Sequence, residues 1–176
     1  IAPMNSITQS GSCQPHDRIV HLNDSNFGGK PMSATLTPHL TVNDAAAAIA
    51  FYTQAFGAVE HFRLPTPDGK IMHAEIQIGD MLLFLNDEFP EMSSKPPSAL
   101  NSSPVTLHLQ VDDVDTWMQQ AIAAGATVTM PVEKMFWGDR YGRIVDPFGH
   151  EWSLATQVET VSPEDVKQRA AALFAA

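Results

Sequence analysis

The chain has 176 residues, 44% of them hydrophobic and 17% charged, with a formal net charge of −10. That balance predicts a folded, soluble chain with room for one ordinary domain or two small halves sharing a core. It argues against nucleic acid, which needs a basic face, and no apolar run approaches the roughly 20 residues of a membrane span. The single cysteine, Cys13, excludes an internal disulfide. Ile1–Ser12 lacks the basic start and apolar stretch of a secretory leader, so the expected location is cytoplasmic.

Residues 1–33 are rich in Ser, Asn, Gly, Gln and Pro and read as an N-terminal tail or extension, with one strand-like piece at Arg18–Leu22. A repeat follows. His39-Leu-Thr-Val-Asn-Asp44 recurs 69 residues later as His108-Leu-Gln-Val-Asp-Asp113. Both hexads alternate polar and apolar residues, the period of a half-buried strand. Asn43/Asp44 and Asp112/Asp113 supply oxygens to cap the next segment. Helices are predicted there, with Ile49, Tyr52 and Phe56 on one face of the first and Val114, Trp117, Ala121 and Ile122 on one face of the second. Gly57 and Gly125 suit the helix ends.

Pro67-Asp68-Gly69 predicts a hairpin turn, followed by strands Ile71–Ile78 and Met81–Asn86 around Gly79-Asp80. In the second half Trp137–Gly142 reads as a loop, Arg143–Val145 as a short strand, Asp146–Gly149 as a turn and Glu151–Thr156 as the last strand. Gly79 and Gly149 match at an offset of 70. Each half is therefore strand–helix–strand–strand–strand, with modules at 34–95 and 105–157 and a proline-bounded linker at 96–104. Residues 158–176 carry a terminal helix with Ser162 as cap, Pro163 in the first turn and two acids at its positive end.

Each sheet must bury one face under its helix. Leu40, Val42, Ala74, Ile76, Leu107, Leu109, Trp152 and Leu154 mark that face, and Trp117 is also expected in the core. The opposite face then collects Thr37, His39, Thr41, His73, Glu75 and Gln77 in the first half. In the second half it collects Thr106, His108, Gln110, Glu151 and Ser153. These are not the Lys/Glu mixture of a solvated face, and a duplicated half-sheet can pair with its twin and curl into a cup, where a ligand would sit.

At this point the text resembles the glyoxalase/bleomycin-resistance/extradiol-dioxygenase (vicinal oxygen chelate) superfamily. The resemblance rests on Ile49-Ala-Phe-Tyr52, Ala55-Phe-Gly57, His73-Ala-Glu75, and Phe136-Trp-Gly-Asp-Arg-Tyr-Gly142 running into Asp146-Pro-Phe-Gly-His-Glu-Trp152. The wording is similar to the PhnB-like branch. The resemblance implies an α+β fold of two βαβββ modules forming a U-shaped, cup-like mixed sheet with helices on the outside, commonly as a homodimer. It does not imply one reaction: relatives include metal-dependent lyases and isomerases, dioxygenases, thiol transferases and metal-free binding proteins.

Alignment on the strand–helix junction and on Asp146–Gly149 puts the family's metal-ligand positions at Thr37, Leu83, Thr106 and Ser153, a poor donor set. His39, His108 and Glu151 lie two residues away on the same faces, with Met81 as the counterpart of Glu151. They would offer an alternative site for Fe, Zn, Mn or Ni, unless Glu151 pairs with Arg140 or Arg143.

Other groups carry paired readings. Phe136, Trp137 and Tyr141 either stack on a planar ligand or plug the core. Arg140 either binds an anion or pairs with Asp139 or Asp146. Glu75 is either a base beside His73 or a carboxylate bonded across the sheet. The expected function is metal-independent, bleomycin-resistance-like binding of a cationic or aromatic small molecule, with no cofactor. His39, Thr41, His73, Glu75, Thr106, His108, Trp137, Arg140, Tyr141 and Ser153 would line the cup. The alternatives are a metal-dependent lyase, isomerase or dioxygenase, and a stable relic without ligand.

Overall fold

Asp44 and Asp113 begin the two helices on which the architecture turns. In the computed structural model, which describes residues 34–92 and 94–175, Asp44 Oδ1 accepts from the Ala47 N–H at 2.9 Å and Asp113 Oδ1 from the Asp115 N–H at 3.1 Å. These caps open α1 (Ala45–Phe56) and, after the short α2 (Pro97–Leu100) in the linker, α3 (Val114–Ala124). The compact unit starts at Leu36. Cys13 and the strand-like Arg18–Leu22 lie outside the described residues.

Around the helices run β1 (His39–Val42), β2 (Val59–Pro65), β3 (Ile71–Ile78) and β4 (Met81–Asp87), then β5 (Thr106–Gln110), β6 (Thr127–Lys134), β7 (Asp139–Val145) and β8 (Glu151–Gln157). The sheets have matching orders, β1-β4-β3-β2 and β5-β8-β7-β6, with the first pair parallel and the others antiparallel. This is the expected α+β pair of βαβββ modules. α4 (Pro163–Phe174) follows, capped by Ser162. No helix of the described residues is long and apolar enough to cross a membrane.

One core serves both modules. Leu40, Val42, Ile76, Leu85, Ile144 and Leu154 are buried beneath the helices. α1 packs on α3, with the Phe56 and Trp117 rings stacked at 6.2 Å. Both helical layers therefore lie on one side and the polar faces open on the other. Side chains at the end of each sheet's second strand tie the helices down. Asp87 accepts from the Ala45 N–H at 2.7 Å and the Ile71 N–H at 2.6 Å, and Thr156 Oγ1 from the Val114 N–H at 2.7 Å. The edge strands β1 and β5 belong to separate sheets, so the surface is not closed at their seam.

Three local expectations need correction. β7 starts at Asp139, so Arg140 and Tyr141 are strand residues; Gly138, at φ 102°, makes a turn tight enough for pairing to start at once. On α3 the buried stripe is Val114, Met118 and Ala121, four and three residues apart, whereas Ile122 is 46% exposed. Trp117 is half-buried, with Nε1 donating to Asp112 Oδ1 at 3.2 Å.

Candidate functional site

The strand registers define two equivalent rows on the polar faces. In the first module His39, Phe84, Glu75 and Phe62 lie side by side across β1, β4, β3 and β2. In the second, His108, Ser153, Arg143 and Met130 occupy the same places. Each row starts with a histidine at the seam, but a carboxylate in one stands where the other has a guanidinium.

The first face is ringed. His73 lies 4.9 Å from Phe84, 5.7 Å from His39 and 6.2 Å from Phe62, between ring centroids. Glu75, with its side chain 35% exposed, meets His73 Nε2 at 3.3 Å, so its partner is on its own strand rather than across the sheet. Thr41 Oγ1 donates to Asn86 Oδ1 at 3.4 Å. Desolvation, then the nearby His73, holds the His39 imidazole below its ordinary pKa, against a hydrogen bond with Asn86.

The second face bonds largely to itself, although Arg143 Nε is buried without a partner among the described residues. His108 Nδ1 and Ser153 Oγ are 2.8 Å apart. Arg143 donates to Thr106 Oγ1 at 2.9 Å and pairs with Glu151. His108 stacks over Tyr141 at 6.3 Å, and Trp137 meets Tyr141 at 5.7 Å and Phe136 at 4.9 Å. Trp137 Nε1 donates to Asp139 Oδ2 at 3.1 Å. Arg140 pairs with Asp115 at 2.7 Å rather than with Asp139 or Asp146.

The sequence-based metal set does not assemble within the chain: His39 sits among rings, His108 on Ser153 and Glu151 on Arg143. Among the described residues no three His, Cys, Asp or Glu side chains converge to hold a metal ion. The present donors therefore do not fit the metal centre that the resemblance suggests. Register also shows Leu82, not Met81, as the counterpart of Glu151, and Phe84, not Leu83, as that of Ser153. Leu83 faces the core, paired with Ile76, and Thr37 precedes β1.

Sequence reasoning passed over the buried Asp146 as a hub. Its carboxylate accepts from Tyr52 Oη at 2.7 Å, Trp152 Nε1 at 2.9 Å, and the Phe148 and His150 N–H groups at 2.9 Å each. Burial, then the Asp146 charge, pushes the Tyr52 phenol well up. The signal was present as a polar residue inside the Asp146-Pro-Phe-Gly turn opposite a helix tyrosine.

His150 joins the modules directly, its Nε2–H donating to the Thr41 carbonyl at 3.2 Å. Burial, only partly offset by Asp146 and that carbonyl, lowers its pKa from the ordinary 6.5. Below pH 6.5 the unfolded chain therefore binds a proton that the folded chain refuses, and stability falls as pH drops toward the folded value. His39 acts in the same direction. Urea midpoints should fall between pH 7.5 and 5.5, and His150→Gln should shrink that fall. An undiminished fall in the variant would contradict the assignment.

The comparisons with known proteins agree with this architecture. The uncharacterized protein Rv0887c of Mycobacterium tuberculosis is 50% identical over 135 residues, covering 75% of this chain and 79% of its own. Protein PA1353 from Pseudomonas aeruginosa superposes with a TM-score of 0.60 at 25% identity, over 72% of this chain and 100% of its own. A PhnB protein from Bacillus cereus superposes with a TM-score of 0.57 at 17% identity, over 70% and 99%, a likeness of fold alone. The family model of the Glyoxalase/Bleomycin resistance protein/Dioxygenase superfamily matches residues 19–154, and the chain belongs to that superfamily.

Proposed function

We propose that the chain binds a small, planar, cationic molecule on the first module's polar face, in the manner of a bleomycin-resistance protein and without a metal ion. The observation that carries this reading is the wall of Phe62, His73, Phe84 and His39 around one accessible carboxylate, Glu75. A planar cation stacks favourably on such rings, and a carboxylate at the edge supplies its countercharge. The net charge of −10 attracts cations to the surface as a whole. His73 positions Glu75, and Glu75 acts as a countercharge rather than a base. The second face, whose polar groups bond mostly to one another, serves as the opposite wall through Thr106, His108, Tyr141 and Ser153. A homodimer is part of this reading, because Val59 and Leu64 leave apolar surface exposed on β2.

Thermal melting with two probes of similar shape and opposite charge tests it. Proflavine, a planar cation, should raise the melting temperature, and 9-anthroate, a planar anion, should not. Equal shifts from both, or none from proflavine, would count against the cationic ligand.

A further inference from the structure

The seam between the modules holds a cleft of about 370 Å³ on the linker side of β1. Its one formally charged side chain, Lys95, is opposite in sign to the net charge of the molecule. His39, Lys95 and His150 line it, and no Asp or Glu does among the described residues, in a chain with 20 acidic and 10 basic residues. Lys95 has no ion-pair partner among the described residues.

The backbone adds donors of the same sense. Phe84 N bonds the Pro38 carbonyl and Glu88 N bonds the Val42 carbonyl, so β1 engages β4 through residues 38, 40 and 42. Residues 39 and 41 then turn their main-chain groups to the unpaired edge, where the cleft lies. The Thr41 carbonyl is taken by His150, so the outward His39 and Thr41 N–H groups outnumber the one remaining outward acceptor, the His39 carbonyl. Pro97, Leu100 and Leu107 close the remaining side with apolar surface.

We propose that this cleft binds a small carboxylate carrying a short apolar tail. The carboxylate sits between Lys95 Nζ and the outward N–H groups of β1, and the tail lies on Pro97, Leu100 and Leu107. The volume admits a handful of carbons beside the head group, at the lower end of small-ligand sites. The site shares His39 with the ring wall but none of Phe62, His73, Glu75 or Phe84, so it stands whether or not a planar cation binds there.

Titration of the full chain with sodium hexanoate, followed by amide NMR, tests the proposal. Saturable shifts are expected at Thr41, Leu100 and His150, with hexylammonium giving none. Lys95→Met changes an exposed side chain and should weaken hexanoate roughly tenfold, the loss of one charge-assisted hydrogen bond. Glu75→Gln should leave hexanoate binding unchanged. Absent shifts, wild-type affinity in Lys95→Met, or equal binding of hexylammonium would overturn the carboxylate site.

Discussion

Asp146→Ala is expected to be the most damaging single change in the chain, costing about 4 kcal/mol or more, because each buried donor left without a partner costs about 1–3 kcal/mol. Four donors depend on that carboxylate: the Tyr52 hydroxyl, the Trp152 indole and two turn N–H groups. They come from both modules, so the loss is felt at the junction of α1 with the β7–β8 turn rather than within one hairpin. Tyr52→Phe removes one donor and leaves the acceptor with three, and should cost only about 1–2 kcal/mol. Urea unfolding of the two variants should therefore differ by about 2 kcal/mol or more. Equal losses would show that the carboxylate is not the hub described.

Gly138→Ala should be nearly as harmful. An added Cβ would fall 2.3 Å from the Glu159 carbonyl oxygen and 2.9 Å from Val161 Cγ2, at a φ of +102°. The Gly138 carbonyl also accepts the Val158 and Glu159 N–H groups, so the turn cannot swing away without losing both bonds. Backbone strain of about 1–2 kcal/mol and a clash of similar size predict a loss of about 3 kcal/mol. Gly125→Ala is the control. Its φ is +115°, but the nearest atom to its Cβ is Pro147 Cγ at 3.7 Å, so it should carry the strain alone. Trp137, bonded to Asp139, should report the Gly138 change in its fluorescence. A Gly138→Ala chain as stable as Gly125→Ala would contradict the close approach.

The fold was legible because the repeat, the capping aspartates and the helix-ending glycines all describe the same two modules. The fine register was not. Alignment on Gly79 and Gly149 slips by one residue against β4 and β8, because one extra residue follows Gly79: it lies three residues before Leu82, whereas Gly149 lies two before Glu151. That single extra turn residue made Met81 and Leu83 stand in for Leu82 and Phe84. An alternating strand shifted by one residue changes faces, so Phe84 was missed as part of the ring wall. His39, His73 and Glu75 were legible from alternation alone. The partners of Arg140 and Glu151 were not, since Asp115 lies on a helix and the choice between Arg143 and Arg140 depends on pairing across β7 and β8.

Glu75 and Arg143 hold the same register position with opposite charge, and this difference is the reason the proposed ligand is placed on the first face. Arg143 pairs with Glu151 and Thr106 through its terminal nitrogen, its Nε having no partner, whereas among the described residues the Glu75 carboxylate has one long contact, with His73. In the proposed reading, rings and one carboxylate bind a planar cation without metal. Calorimetric titration of proflavine into chelator-treated protein, wild type beside Glu75→Gln, tests it most directly. Saturable binding is expected to survive the chelator and to weaken roughly tenfold in the variant, as the loss of a charged partner requires. Binding that vanishes with the chelator, or that is equal in both proteins, would contradict it.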